Sequence, residues 1–233
     1  MAATTTTTWA EIDAGTWLHN PATGEIGHVQ VSPAGTDGRR LEADLWLQPG
    51  AAVVGAHVHD ALVERFEVIV GEVGFEVGGA RRAARAGDAP IEAPAGSAHD
   101  WWNAGDGVAR VRVTVEAIAG AAGRPASRFV ELIEALFSLG ALGRVNQKGL
   151  PDPLWLAAIA REYRDVARFV RPPAVVQPIL FGPLAALARR TGRDPRRAEL
   201  HGPSAPCVID APGESELAGL LARGVGARAA RGH

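Results

Sequence analysis

Cysteine is nearly missing from this chain of 233 residues: Cys207 stands alone. An intrachain disulfide is therefore excluded, and an oxidising compartment has no support from the sequence. Strong charge of either sign is missing too. The formal net charge is -2, which gives no pull toward nucleic acid or an anionic membrane. No run reaches the roughly 18 to 20 apolar residues that span a bilayer. The nearest stretch, residues 174–188, is broken by Pro178 and Pro183. Residues 1–8 lack the basic and apolar regions of a secretory signal. The expectation is a soluble, cytoplasmic protein with no nucleic-acid or membrane partner. No internal repeat is found, and no nucleotide, flavin or haem motif. What remains is ordinary globular composition, 47% hydrophobic and 21% charged, long enough for one buried domain and an appendage.

Two halves differ in period. Leu41 to Leu47, Phe66 to Val70, Phe75 to Val77 and Val111 to Glu116 alternate apolar and polar residues, as half-buried strands do. Turn signals separate them at Pro49-Gly50, Gly71, Gly78-Gly79, Gly87-Asp88 and Gly105-Asp106-Gly107. Short antiparallel strands at this spacing predict a sandwich or barrel. Beyond Gly123 the period is helical. Ser127 is a candidate cap for a helix through Phe137, with Val130, Ile133, Leu136 and Phe137 on one face. Asp152-Pro153 starts a second helix, whose apolar stripe Leu156, Ile159, Tyr163, Val166 and Val170 ends at Pro172-Pro173. A third runs to Thr191 with a break near Gly182-Pro183, and Gly192 stops it. A last short helix is expected over residues 214–223, with disorder after Gly224. The expected organisation is a flexible 1–14, a β-barrel over 15–120, a helical extension over 121–200 that packs on the barrel or on a partner subunit, and a partly disordered tail over 201–233. The run Thr4 to Thr8 is expected to be frayed.

Chemistry concentrates in four residues. In His57-Val58-His59 the two imidazoles are two apart, so a strand points both to one face. Glu64 follows after a short bend, and His99 must arrive on another strand. Three neutral imidazoles and one carboxylate suit a first-row divalent metal and leave one or two positions open. Alternation from His99 puts Trp101 on the cavity side and Trp102 outside, and Phe66 shares parity with Glu64. An aromatic wall of Trp101 and Phe66 suits a flat, partly apolar substrate, although small barrels are also filled by such side chains. Asp60, Arg65, Glu67 and Asp100 fall on solvated faces or beside the imidazoles. His19, His28, His201 and His233 have no partner at ligand spacing and are expected at the surface. The arginines at 189, 190, 193, 196 and 197 read as a solvated helix end.

Gly50, His57-x-His59, Glu64 and Gly71 resemble the first motif of the cupin superfamily. Gly87, Pro94-x-Gly96, His99 and Asn103 resemble the second. The gaps from Gly50 to His57 and from Gly87 to Pro94 are each one residue longer than the commonest form. Gly71 and Gly96 fall where turns need φ > 0, Pro94 fits the start of a strand, and the Asn103 amide suits fixing a turn. The likeness covers residues 41–116 and occurs once, so it implies a single cupin (jelly-roll) β-barrel followed by an α-helical extension: a mainly β fold. It implies His57, His59, Glu64 and His99 as ligands of one divalent transition metal, Fe2+ first, with Mn2+, Ni2+, Zn2+ or Cu2+ as others. Cupins are often dimers, so a homodimer is expected. Arg128-Phe129-Val130-Glu131 is weakly similar to the helix that follows the barrel in quercetinase-like cupins. That likeness implies an oxygen-dependent dioxygenase acting on a small organic substrate, with Glu64 also taking a substrate proton. Two other readings stay open: Lewis-acid cyclisation, isomerisation or decarboxylation, and non-catalytic binding of a small ligand. The His-x-His form speaks against the 2-oxoglutarate enzymes.

Overall fold

A computed structural model describes residues 9–52, 55–146, 149–173 and 175–229, the last seven by their backbone alone. Thr4 to Thr8 and residues 230–233 lie outside the described residues. The first half alternates as expected and folds into ten strands: β1 (Trp17–Asn20), β2 (Glu25–Val31), β3 (Arg40–Leu47), β4 (His57–Val58), β5 (Leu62–Val70), β6 (Glu72–Val77), β7 (Ala80–Arg85), β8 (Ile91–Ala93), β9 (His99–Asn103) and β10 (Ala109–Ala117). The second half adds α1 (Pro125–Ala141), α2 (Pro153–Glu162), β11 (Arg168–Phe169), α3 (Gln177–Arg190), β12 (Val208–Ile209) and α4 (Glu214–Ala229). One sheet runs β12-β1-β2-β3-β10-β5-β8 and the other β11-β4-β9-β6-β7, antiparallel throughout. The two form a jelly roll.

Strand parity fixes what faces inward. On β3 the buried Leu41 and Leu47 and the partly buried Leu45 alternate with Glu42, Asp44 and Trp46 on the outer face, and β10 sends Val111, Val113 and Val115 inward. Asp44 is covered on that outer face by Arg110 and Arg112. Trp102 also points out of the barrel and lies across Gly74, its cross-strand partner, where a Cβ would collide with the indole. Gly71, at φ 86°, makes the tight link from β5 to β6.

The helical half departs from its sequence pattern in four places and the barrel in one, at Pro94. Helix α1 begins at Pro125 after Arg124, not at Ser127, because proline at the first position is already set for the helix. Asp152 caps α2 as expected, accepting from the N–H groups of Leu154 and Trp155 at 2.9 and 3.1 Å. That helix stops at Glu162, however. Tyr163 and Val166 lie in a turn, Arg168–Phe169 pairs with His57–Val58, and Val170 follows that strand, so the last three residues of the apolar stripe leave the helix. Helix α3 runs through Pro183, whose ring points to the exposed side. Helix α4 continues past Gly224 to Ala229. Pro94 follows β8 and does not open a strand.

Helix α1 is buried on two sides. Phe129, Val130 and Phe137 join the barrel core. Leu132, Ala135 and Leu139 join a second core with Trp155, Ile159, Tyr163 and Leu200. The barrel also draws in Ile12, Val166, Ala205 and Cys207 from outside its ten strands. His201, expected at the surface, is 3% exposed. It stacks on Trp9 at 4.1 Å and lies 3.4 Å from the Glu134 carboxylate. Among the described residues no helix is long and apolar enough to cross a membrane.

Candidate metal centre

Three strands deliver the site. His57 on β4 pairs directly with His99 on β9, and His59 leaves the end of β4 with its ring on the same side. Glu64 comes from the opposite sheet, on β5 between Val115 and Ala93. The two motifs are tied by backbone: the Gly96 N–H donates to the His59 carbonyl at 2.8 Å, and Gly96 holds the φ of 79° that its turn requires. Asn103 does what its amide suggested. It donates to the Leu47 and Gly107 carbonyls and accepts from the Gly105 N–H, fixing the 103–107 turn.

All four side chains are buried, and their ligand atoms lie within 4.8 Å of one another. Every imidazole is anchored by the same device. Nδ1 of His57 meets the Gly55 carbonyl at 2.7 Å, Nδ1 of His59 the Val166 carbonyl at 2.6 Å, and Nδ1 of His99 the Ser97 carbonyl at 3.0 Å. A carbonyl only accepts, so each Nδ1 carries the proton, and the Nε2 atoms of His57 and His59 turn lone pairs inward; in the metal-free protein Nε2 of His99 instead donates to the Glu64 carboxylate. The Nε2 atoms of His57 and His59 are 3.0 Å apart. Two lone pairs facing at that distance repel unless a cation lies between them. Ligand atoms about 2.1 Å from one ion, at right angles, are themselves about 3 Å apart. Glu64 Oε2 lies 2.7 Å from His99 Nε2 and 3.6 Å from His59 Nε2. The donor set is therefore compatible with one divalent metal ion, which His57, His59, Glu64 and His99 could hold.

Electrostatics agree. Burial, reinforced by His59 and His99, pushes the His57 imidazole down to about 4, so it stays neutral. Burial alone would raise Glu64, but His59 and His99 outweigh it and hold the carboxyl well below its usual range. Burial opposes charge on His99 too, yet the bond to Glu64 wins and raises it. In the metal-free protein, stability should peak near neutral pH. The His99 contribution is present below pH 6.5 and lost as pH rises through its folded pKa. The His57 contribution is present above 6.5 and lost as pH falls toward 4, worth roughly 3 kcal/mol, and Glu64 adds a further loss below its ordinary 4.5. Thermal melts of metal-free protein from pH 8 to pH 4 check this. A melting temperature that rises steadily into acid would contradict it.

The ligands open into an interior cavity of about 70 Å³. Its walls include Leu18, Val29, Leu41, Leu45 and Val113 from the seven-stranded sheet, with the polar Glu25 and His28 from β2, Trp101 from β9, and Phe129, Val130, Ile133 and Phe137 from α1. Trp101 thus lines the chamber as its parity required. Phe66 does not line it: its ring packs behind, 5.1 Å from Trp101 and 5.4 Å from Phe75, as barrel filling. Among the described residues no lysine or arginine lines the chamber. Asp60 pairs with Arg168 and Arg65 with Glu92, away from the imidazoles. One feature was invisible in the sequence: the Val166 carbonyl that orients His59 has no side-chain signal, since any residue supplies one. The α1 wall was legible as an apolar face that would pack on the barrel or on a partner subunit, and its Phe129, Val130 and Phe137 lie against the barrel core.

A jelly roll that brings three imidazoles and a carboxylate to one buried point defines a barrel with a candidate metal site. Residues 45–116 match the family model described as Cupin domain, and the barrel of this chain is a cupin domain. Among solved structures, the chain is similar to a predicted oxalate decarboxylase from Thermotoga maritima. Identity there is 23% over 40% of this chain and 81% of that one, with a TM-score of 0.38. It is similar to an uncharacterized conserved protein with a double-stranded beta-helix domain from Klebsiella pneumoniae, at 27% identity over 36% and 68%, TM-score 0.32. KdgF from Halomonas sp. aligns at 16% identity over 41% and 82%, TM-score 0.34. No curated protein matches the chain.

Proposed function

We propose that this protein is a metal-dependent dioxygenase acting on a compact, apolar, enolisable molecule inside the chamber. The observation that carries this reading is the pairing of an N3O ligand set with walls that are mainly aliphatic and aromatic, Glu25 and His28 being the polar side chains besides the ligand set. A sugar or a dicarboxylate would need fixed cations or hydrogen-bond donors around it, because a buried polar group without partners is costly. Among the described residues the walls provide neither lysine nor arginine. Dioxygen and an apolar carbon skeleton have no such need.

A bound divalent ion, Fe2+ first, supplies a place for dioxygen and for an anionic substrate oxygen. The chain supplies the rest. Glu64, ionised and 3% exposed, is placed to accept the proton that an enolisable substrate gives up. Trp101 and Phe129 flank the space and orient a flat molecule. Helix α1 keeps bulk water out. The chamber is far below the 300 to 1,000 Å³ of drug-sized pockets, so substrates of few heavy atoms are favoured over tricyclic ones.

Oxygen uptake by metal-loaded protein tests this against a panel of small diketones, catechols and flavonols. Uptake with the small diketones and none with flavonols is expected. No uptake with any member, in protein holding one metal per chain, would reject the dioxygenase and favour Lewis-acid chemistry or ligand binding.

A further inference from the structure

Among the described residues the helical half reaches the metal centre through one hydrogen bond, the Val166 carbonyl on His59 Nδ1 at 2.6 Å. What holds that carbonyl in place is the turn from Glu162 to Ala167, where the N–H groups of Val166 and Ala167 both donate to the Tyr163 carbonyl. One side chain grips the turn. Arg128 on α1 donates to the Glu162 carbonyl at 2.8 Å, contacts the Asp165 carboxylate through Nε and Nη2 at 3.3 Å each, and pairs with Glu131 at 2.7 Å. Its guanidinium lies 4.8 Å over the Tyr163 ring. The next residue, Phe129, sets its ring edge-on to His59 at a centroid distance of 5.4 Å. One helical turn of α1 therefore touches His59 directly and also fixes the turn that orients it.

We infer that Arg128 is a positioning residue of the metal centre, holding the 162–166 turn so that the Val166 carbonyl locks the His59 ring with Nε2 inward. The inference rests on the metal reading of the site but not on any particular reaction. Partners that orient a ligating imidazole commonly set its affinity by 10- to 100-fold. A planar, many-donor side chain suits a grip on a carbonyl, a carboxylate and a ring together; lysine, with a single point charge, can satisfy only part of it.

The test uses full-length, metal-free protein with Zn2+ as the probe, its affinity read by competition with a chromophoric chelator. The visible spectrum of the Co2+ form reports ligand geometry. Arg128→Ala should weaken Zn2+ binding by about 10- to 100-fold and change the Co2+ spectrum. Arg128→Lys should recover part of both. Ile159→Val, a core change in the same helical half, should leave both as in the wild type. Wild-type affinity and spectrum in Arg128→Ala would overturn the inference. Should Arg128→Ala fail to fold, Arg128→Lys decides: binding several-fold weaker supports the role, and wild-type binding overturns it. A wild-type protein that binds neither Zn2+ nor Co2+ would sink the metal reading itself, so the two failures are distinguishable.

Discussion

Alanine in place of His59 yields a folded barrel that no longer retains metal. His59 is 1% exposed and supplies one of four donors. Losing a partner that merely orients a ligand costs about 10- to 100-fold in affinity, so losing the ligand itself costs more than about 100-fold. The fold survives for separate reasons. The change removes the facing pair of Nε2 lone pairs, and it leaves the Leu47, Phe75, Val111 and Val115 core untouched. Its price is the Val166 carbonyl, which loses its donor in a buried place, at about 1 to 3 kcal/mol. Domains of ordinary stability, about 5 to 15 kcal/mol, tolerate that. Elemental analysis should find less than a tenth of an ion per chain, beside an unchanged far-ultraviolet spectrum. One ion per chain in this variant would remove His59 from the site.

The second large effect is expected from removing everything after Gly123. Helix α1 would go, and with it Phe129, Val130 and Phe137, each contributing roughly 1.5 to 3 kcal/mol by burial. Strands β11 and β12 would go from the margins of both sheets, opening new edges beside β4 and β1. The Val166, Ala205 and Cys207 side chains would leave the core, and the chamber walls Leu18, Val29, Leu41 and Leu45 would face water. Together these losses approach the whole stability of a domain. The truncated chain should aggregate or self-associate, and what stays soluble should bind metal more weakly. A truncated barrel that is soluble, keeps the oligomeric state of the full chain and keeps its metal affinity would show the helical half to be dispensable.

The barrel and its ligands were legible because their signals are local. Alternation on Leu41 to Leu47 sorts the two faces of β3 without knowledge of its neighbours. His57-Val58-His59 places two rings on one side by strand geometry alone, and Gly71 and Gly96 mark turns through a conformation that glycine adopts freely. The helical half was legible only where caps are written in side chains, as at Asp152. Its stripe from Leu156 to Val170 fits a helix as well as it fits a helix, a turn and a strand. The choice was made by the open edge of β4, a hundred residues away, which needed a pairing partner. His201 was misplaced for a similar reason. Nothing near it in sequence announces Trp9 or Glu134, which bury it. Phe66 and Trp101 share the barrel interior, and parity could not say which of them would meet the cavity.

If His57, His59, Glu64 and His99 hold one divalent ion, metal analysis decides it, on protein purified without added metal and without a histidine tag and then reconstituted under anaerobic conditions. Close to one divalent transition metal ion per chain is expected, lost on acidification. Protein that holds no ion, even after reconstitution with Fe2+, Mn2+, Ni2+, Cu2+ and Zn2+ in turn, would contradict it.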